Sequence, residues 1–203
     1  MSEPALAVAA IAHGTASEGP HRRVAVWVRG CTLACRGCCN PELHAAAPAS
    51  ALAPVLAALD DARARGLEGL TVVGGEPLQQ LAGTTALCTA AAARGLGVIV
   101  FTGYTPDEAR ALPGFDALWS VLDTLVAGRY DARLPERARA FVGSRNQALL
   151  HRTARYADAA LWQAPGSAEL VITPEGTAQL VGAPQLVTRL RRALAVAKPT
   201  ARC

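Results

Sequence analysis

Three of the chain's six cysteines fall within eight residues, Cys31-Thr32-Leu33-Ala34-Cys35-Arg36-Gly37-Cys38, and no other stretch limits the fold as strongly. Thiolates spaced this closely can face one centre only if the backbone curls into a compact loop, and Gly30 and Gly37 supply positions that tolerate the curl. Soft sulfur ligands select zinc, copper(I) or an iron–sulfur cluster. Structural zinc takes four protein ligands, commonly as two Cys-x-x-Cys pairs, and the chain offers no second pair. A disulfide framework is equally poor: Cys39 adjoins the loop, Cys88 sits in a helix-like run and Cys203 is terminal. Three thiolates with an open fourth position suit a four-iron cluster whose unique iron is left for a small molecule. The cluster is the favoured reading, with a non-catalytic zinc-binding module as the alternative.

Around that loop the chain alternates strand-like and helix-like pieces. Leu6 to Ala12 reads as a first strand, and Val24 to Val28 as a second that delivers Cys31 at its carboxyl end. Ser50 reads as the cap of a helix carrying Leu52, Val55, Leu56 and Leu59, with Pro54 in its first turn and Gly66 as its stop. Leu70 to Val73 and Val98 to Phe101 are the next strands, separated by a helix over Leu81 to Arg94 in which Cys88 is a core residue. Thr105-Pro106-Asp107-Glu108 reads as a capped helix start. Leu118 to Val126 reads as another strand, in which Asp123 must find a partner or face a cavity. Near the end, strands flank Pro174-Glu175-Gly176-Thr177 as a hairpin, and Pro184 opens a helix with Leu186, Val187, Leu190 and Leu194 on one face.

This pattern predicts one α/β domain over the 203 residues, with a core of about residues 18–150 and a C-terminal hairpin and helix over about 168–198. The Gly74-Gly75-Glu76-Pro77 turn directly follows a strand. In a parallel sheet it shares a rim with the cysteine loop. Missing side chains at Gly74 and Gly75 let a ligand approach the backbone, and exposed carbonyls with the Glu76 carboxylate suit an ammonium group. No apolar run reaches the roughly 20 residues that span a bilayer, and no signal core opens the chain, so a cytoplasmic protein off the membrane is expected. The net charge of +4 forms no stripe with interleaved aromatics, so no nucleic-acid partner is expected.

The Cys-x3-Cys-x2-Cys spacing, with the motifs around it, resembles the radical S-adenosylmethionine (SAM) enzymes, and among them the anaerobic ribonucleotide reductase activating proteins. Glu18-Gly19-Pro20-His21-Arg22-Arg23 is similar to the segment preceding the cluster strand in radical activases. Cys38-Cys39-Asn40-Pro41 is similar to the family's Gly-Cys-x-Asn segment at the end of the loop. Gly74-Gly75-Glu76-Pro77, Phe101-Thr102-Gly103-Tyr104, Leu125-Val126-Ala127-Gly128 and Gly143-Ser144-Arg145-Asn146-Gln147 then match in the family's order.

The resemblance implies an incomplete (β/α) barrel and a [4Fe-4S] cluster held by Cys31, Cys35 and Cys38. It implies SAM contacts from Gly37, Cys38, Cys39, Gly74, Gly75, Glu76 and Asp123, and an active-site wall that includes Asn146 and Gln147. A reduced cluster would split SAM to a 5′-deoxyadenosyl radical. The implied partners are a glycyl-radical enzyme such as anaerobic ribonucleotide reductase and a flavodoxin or ferredoxin type electron donor. A small radical SAM enzyme modifying a peptide or metabolite is the alternative within the family. Cys39 replaces the aromatic or histidine common after the third ligand, Val73 replaces serine, and the C-terminal hairpin is additional.

Overall fold

The computed structural model describes residues 4–172 and 178–196. The described residues form ten strands: β1 (Ala5–Leu6), β2 (Val8–Thr15), β3 (Arg23–Val28), β4 (Ser50–Ala51), β5 (Gly69–Gly74), β6 (Gly97–Thr102), β7 (Thr124–Ala127), β8 (Ala148–His151), β9 (Ala168–Ile172) and β10 (Ala178–Gly182). The α-helices are α1 (Ala53–Ala64), α2 (Leu81–Ala93), α3 (Pro106–Arg110), α4 (Phe115–Trp119) and α5 (Pro184–Val196). Six strands make the central sheet in the order β2-β3-β5-β6-β7-β8. Its four inner strands are parallel, and β2 and β8 add antiparallel edges.

This is a mixed α/β fold around an open sheet. Among the described residues no closed barrel forms, and the expected parallel sheet has a parallel centre with antiparallel borders. The β-branched runs explain the centre, because strands buried on both faces read as continuous apolar stretches. Every residue of β3 is buried. Val24, Val26 and Val28 join Val55 and Leu59 of α1 and Leu87, Cys88 and Ala91 of α2 in the main core. Ala25 and Trp27 point to the other face, against Leu43 and Val181. Helices therefore cover one face, while loops and the hairpin of β9 and β10 cover the other.

Several local expectations meet the structure directly. Thr105 and Glu108 form the reciprocal capping box of α3, and Gly66 ends the first helix with φ +66°. Ser50, by contrast, pairs with Leu6 in a two-residue strand, and Leu52 stands at the cap position of α1. The run from Leu118 is another correction. Phe115–Trp119 is helical and only Thr124–Ala127 is strand, so Asp123 precedes β7 rather than lying within a strand. β9 and β10 pair antiparallel from Ala168↔Gly182 to Ile172↔Ala178, whereas the expected turn at residues 174–177 lies outside the described residues, as does Cys203. In α5 the apolar face is only partly covered: Val187 is buried, while Leu190 and Leu194 are 40% and 55% exposed.

Candidate metal centre

The cysteine loop begins three residues beyond the carboxyl end of β3, and the double-glycine turn caps the carboxyl end of β5. Because these strands are parallel neighbours in register from Arg23↔Gly69 to Val28↔Gly74, loop and turn sit side by side on one rim. The backbone ties them together. Gly75 N–H donates to the Val28 carbonyl at 2.7 Å and Glu76 N–H to the Gly30 carbonyl at 2.8 Å. This close approach is why both positions are glycine. A Cβ on Gly75 would stand 2.4 Å from the Gly30 oxygen, and one on Gly74, at φ +116°, would stand 2.5 Å from the Val28 nitrogen. At the next strand end Gly103 admits Leu33 of the cysteine loop, whose Cδ1 would lie 2.5 Å from an added Cβ.

Two side chains that no sequence motif singles out fasten the loop. Gln79 accepts from Thr32 N–H at 3.1 Å and donates to the Thr32 hydroxyl at 2.7 Å. Gln80 donates to the Arg29 carbonyl at 2.8 Å and accepts from Ala7 N–H at 2.8 Å. Glutamines in a short polar turn read as surface residues, and only the fold shows that both reach across it.

Cys31, Cys35, Cys38 and Cys39 are half-buried and line one cavity of about 150 Å³ with Gly74, Gly75, Glu76, Gly103, Tyr130 and Gln147. Burial pushes the Cys35 and Cys38 thiols up, while the backbone N–H groups of Tyr130 and Asn40 act on them in the opposite direction. Donors aimed at sulfur stabilise the thiolate that a metal needs and tune a cluster's potential. Cys39 is pushed up to about 12 by burial, with Cys38 and Glu18 adding to the effect. Cys88 is fully buried in α2, a core residue as expected.

Among the described residues, no group of three or more His, Cys, Asp or Glu side chains is gathered so that it could hold a metal ion as it stands. A cubane binds each thiolate at a different iron, so it asks the sulfurs to ring a larger body than one ion. The three cysteines share one short loop with left-handed backbone at Ala34, φ +46°, and Gly37, φ +78°. The donor set, three thiols beside a cavity with N–H groups facing Cys35 and Cys38, fits a thiolate-bound cluster.

Glu76 is 1% exposed and largely committed to the fold. Its carboxylate accepts from Leu78 N–H at 2.9 Å, the Thr102 hydroxyl at 2.7 Å and Gly103 N–H at 2.8 Å. The Gly75 carbonyl accepts no hydrogen bond among the described residues, which leaves it the freer acceptor on this wall. Gln147 lines the cavity, but its amide is spent on Gly128, Gly143 and Ser144, and the Asn146 amide donates to the Arg129 carbonyl. Gln147 therefore braces the wall it was expected to form, whereas Asn146 is exposed and does not line the cavity.

Asp123 is not brought to this site. It lies at the amino end of β7, on the opposite rim, where its carboxylate accepts from Val98 N–H at 2.8 Å and from the Thr153 hydroxyl at 2.5 Å. The chain places Glu18 at the cavity instead. The loop between β2 and β3 folds back over the sheet face, pinned where the Thr71 hydroxyl donates to the Glu18 carbonyl at 2.7 Å. The Glu18 side chain joins the cavity lining, and burial raises its carboxyl to about 7.

The fold and site together are an open α/β sheet with four thiols around a cavity at its strand carboxyl ends. The family is given by the sequence match: residues 17–150 fit the model described as the 4Fe-4S single cluster domain, and the chain belongs to that family. No curated protein matches the chain. Among the described residues no helix is long and apolar enough to cross a membrane.

Proposed function

We propose that the protein is a radical SAM enzyme that generates a glycyl radical on a partner such as anaerobic ribonucleotide reductase. The observation that carries this reading is the seating of the cysteine loop and the double-glycine turn on one rim, hydrogen-bonded to each other and facing one cavity. Cys31, Cys35 and Cys38 would hold the [4Fe-4S] cluster, and the free Gly75 carbonyl would receive the SAM ammonium. Once loaded and reduced, the cluster would supply the electron for reductive cleavage of SAM, the chemistry that hydrogen abstraction from a glycine requires. The chain's own residues do the rest. Gln79 and Gln80 hold the cysteine loop against the turn, Glu76 fixes the turn to the end of β6, and Leu33, Trp27 and Phe101 keep the cavity wall apolar. Exclusion of water by such a wall protects a radical from side reactions.

Anaerobic reconstitution tests the reading. The expected result is a brown protein with about four irons and four sulfides per chain and 5′-deoxyadenosine formed only with a reductant. A flavodoxin or ferredoxin is the expected physiological donor. Oxygen exposure should then cleave the partner enzyme at one glycine. A zinc-loaded, colourless protein, or an intact partner after SAM turnover, would sink the proposal.

A further inference from the structure

The family match ends at Leu150, but the cavity wall continues beyond it. Gly182, at the end of β10, and Pro184, at the start of α5, line the cavity beside Glu18, Trp27 and Cys39. Hydrogen bonds fasten this C-terminal unit to three separate parts of the core. At the end of β2 and on the loop after it, Glu18 accepts from Gly182 N–H at 2.7 Å, Ser17 and Ser167 share a hydroxyl bond at 2.9 Å, and Glu169 accepts from the Thr15 hydroxyl at 2.5 Å. On the cysteine loop, Arg191 donates to the Cys39 carbonyl at 3.0 Å and pairs with Glu42 at 3.1 Å. On the third, Gln185 donates to the Gly143 carbonyl at 3.2 Å.

We infer that the hairpin of β9 and β10 with α5 is a specificity-determining wall of the site, and that Glu18 is the positioning residue that holds it by the Gly182 N–H. The chain can pass this point only as glycine. Gly182 has φ +116°, and a Cβ there would stand 2.3 Å from the Ser167 carbonyl oxygen and 3.0 Å from the Ser17 Cβ. With the wall seated, the side of the cavity holding Cys39 and Glu18 is flanked by backbone of the C-terminal unit. A hydrogen donor bound on that side meets this backbone, so the seating of the wall decides which donors fit. This consequence rests on the proposed radical chemistry; the attachment of the wall does not.

Three full-length variants test it: Glu18→Ala, Glu18→Gln and Gly182→Ala. In Glu18→Ala the bond to Gly182 is lost, and hydrogen exchange over residues 178–187 should accelerate about tenfold, the usual scale for one bond to a buried carboxylate. Gly182→Ala should do the same by displacement. At a pH where the folded Glu18 carboxyl is protonated, Glu18→Gln should stay near wild type, because its amide oxygen still accepts. In cluster-free protein, iodoacetamide labelling of Cys39, read by mass spectrometry, should rise with exchange in the two alanine variants. In reconstituted protein, 5′-deoxyadenosine released without partner modification should rise several-fold in those variants while modification of the partner falls.

Unchanged exchange in both alanine variants would overturn the inference, as would a released wall with unaltered Cys39 labelling and coupling. A loss of coupling matched by an equal loss of SAM affinity would also overturn it, since the residue would then act on the cofactor. A wild-type protein that loads iron and sulfide but never cleaves SAM refutes the proposed function alone. Exchange and labelling still decide the wall in that case.

Discussion

The two rims of the central sheet use their polar groups in opposite ways. At the amino ends of the parallel strands, side chains are spent on the protein itself. Arg23 is fully buried and donates to the Pro20, Leu70 and Gly97 carbonyls at 2.8, 3.0 and 3.3 Å, with its guanidinium over the Tyr156 ring. Tyr156 donates to Glu68, which pairs with Arg155 at 2.8 Å. At the carboxyl ends the glycines at 74, 75 and 103 let backbones and the cysteine loop crowd together, and the thiols face a cavity. One rim closes the fold, and the other keeps groups available for a ligand. Substitutions on the two rims should therefore separate stability from cluster loading.

The largest expected effect lies on the cavity rim. Cys38→Ala should reduce reconstituted iron from about four per chain to near zero, since three thiolates are the fewest that hold this cluster with one open iron. Circular dichroism should show a folded protein, because Cys38 is half-buried and its side chain belongs to no core cluster. Cys39→Ala should retain the iron. If Cys39→Ala bleaches the cluster while Cys38→Ala does not, the ligand set is wrong.

The amino rim should respond in the reverse sense. Arg23→Met keeps an apolar stem but withdraws donors from three buried carbonyls, and should cost about 3 kcal/mol. Urea unfolding followed by circular dichroism measures this, while iron per folded chain should match wild type. A large loss of iron without loss of stability would erase the contrast between the rims.

Much of the cavity rim was legible because its signals are local. Cysteine spacing, a double glycine after a β-branched run and a Thr-Pro-Asp-Glu helix start each act within a few residues, and the structure forms all three elements. What escaped depends on distant pairing. β8 and the antiparallel direction of β2 are set by partners across the sheet, and Gln79 and Gln80 matter only because the cysteine loop, 47 to 51 residues away, folds against them. The apolar run at Leu118 was open to either period, since buried helix and buried strand look alike over so few residues. Its helical start is marked by Gly114 at φ +88°, a backbone state no periodicity reveals.

Glu18 joins the two behaviours, because it bridges cavity and wall. Its carboxyl titrates near 7 in the folded protein against 4.5 in the unfolded chain, raised first by burial and further by Glu169, with the Gly182 N–H opposing. Below the unfolded value both states are protonated and nothing is lost. As pH rises through the folded value the unfolded chain ionises first, so wild-type stability should fall between about pH 4 and 8. The fall relative to Glu18→Gln should reach about 3 kcal/mol at most. Parallel stability profiles of the two proteins across that window would dismiss the buried carboxyl.

Asp123 gives the smallest effect and the sharpest test of which rim holds SAM. The resemblance to radical SAM enzymes puts this position near SAM, but the short helix before β7 leaves it at the amino end, bonded to Val98 and Thr153. Asp123→Ala should strand those two donors and cost about 1–2 kcal/mol. SAM affinity and 5′-deoxyadenosine yield per folded chain should match wild type, because the nearest bonded groups belong to the starts of β6 and of the segment after β8. If isothermal titration instead shows SAM binding abolished at unchanged stability, the cofactor reaches the amino rim, and the assignment of the cavity to SAM fails with it.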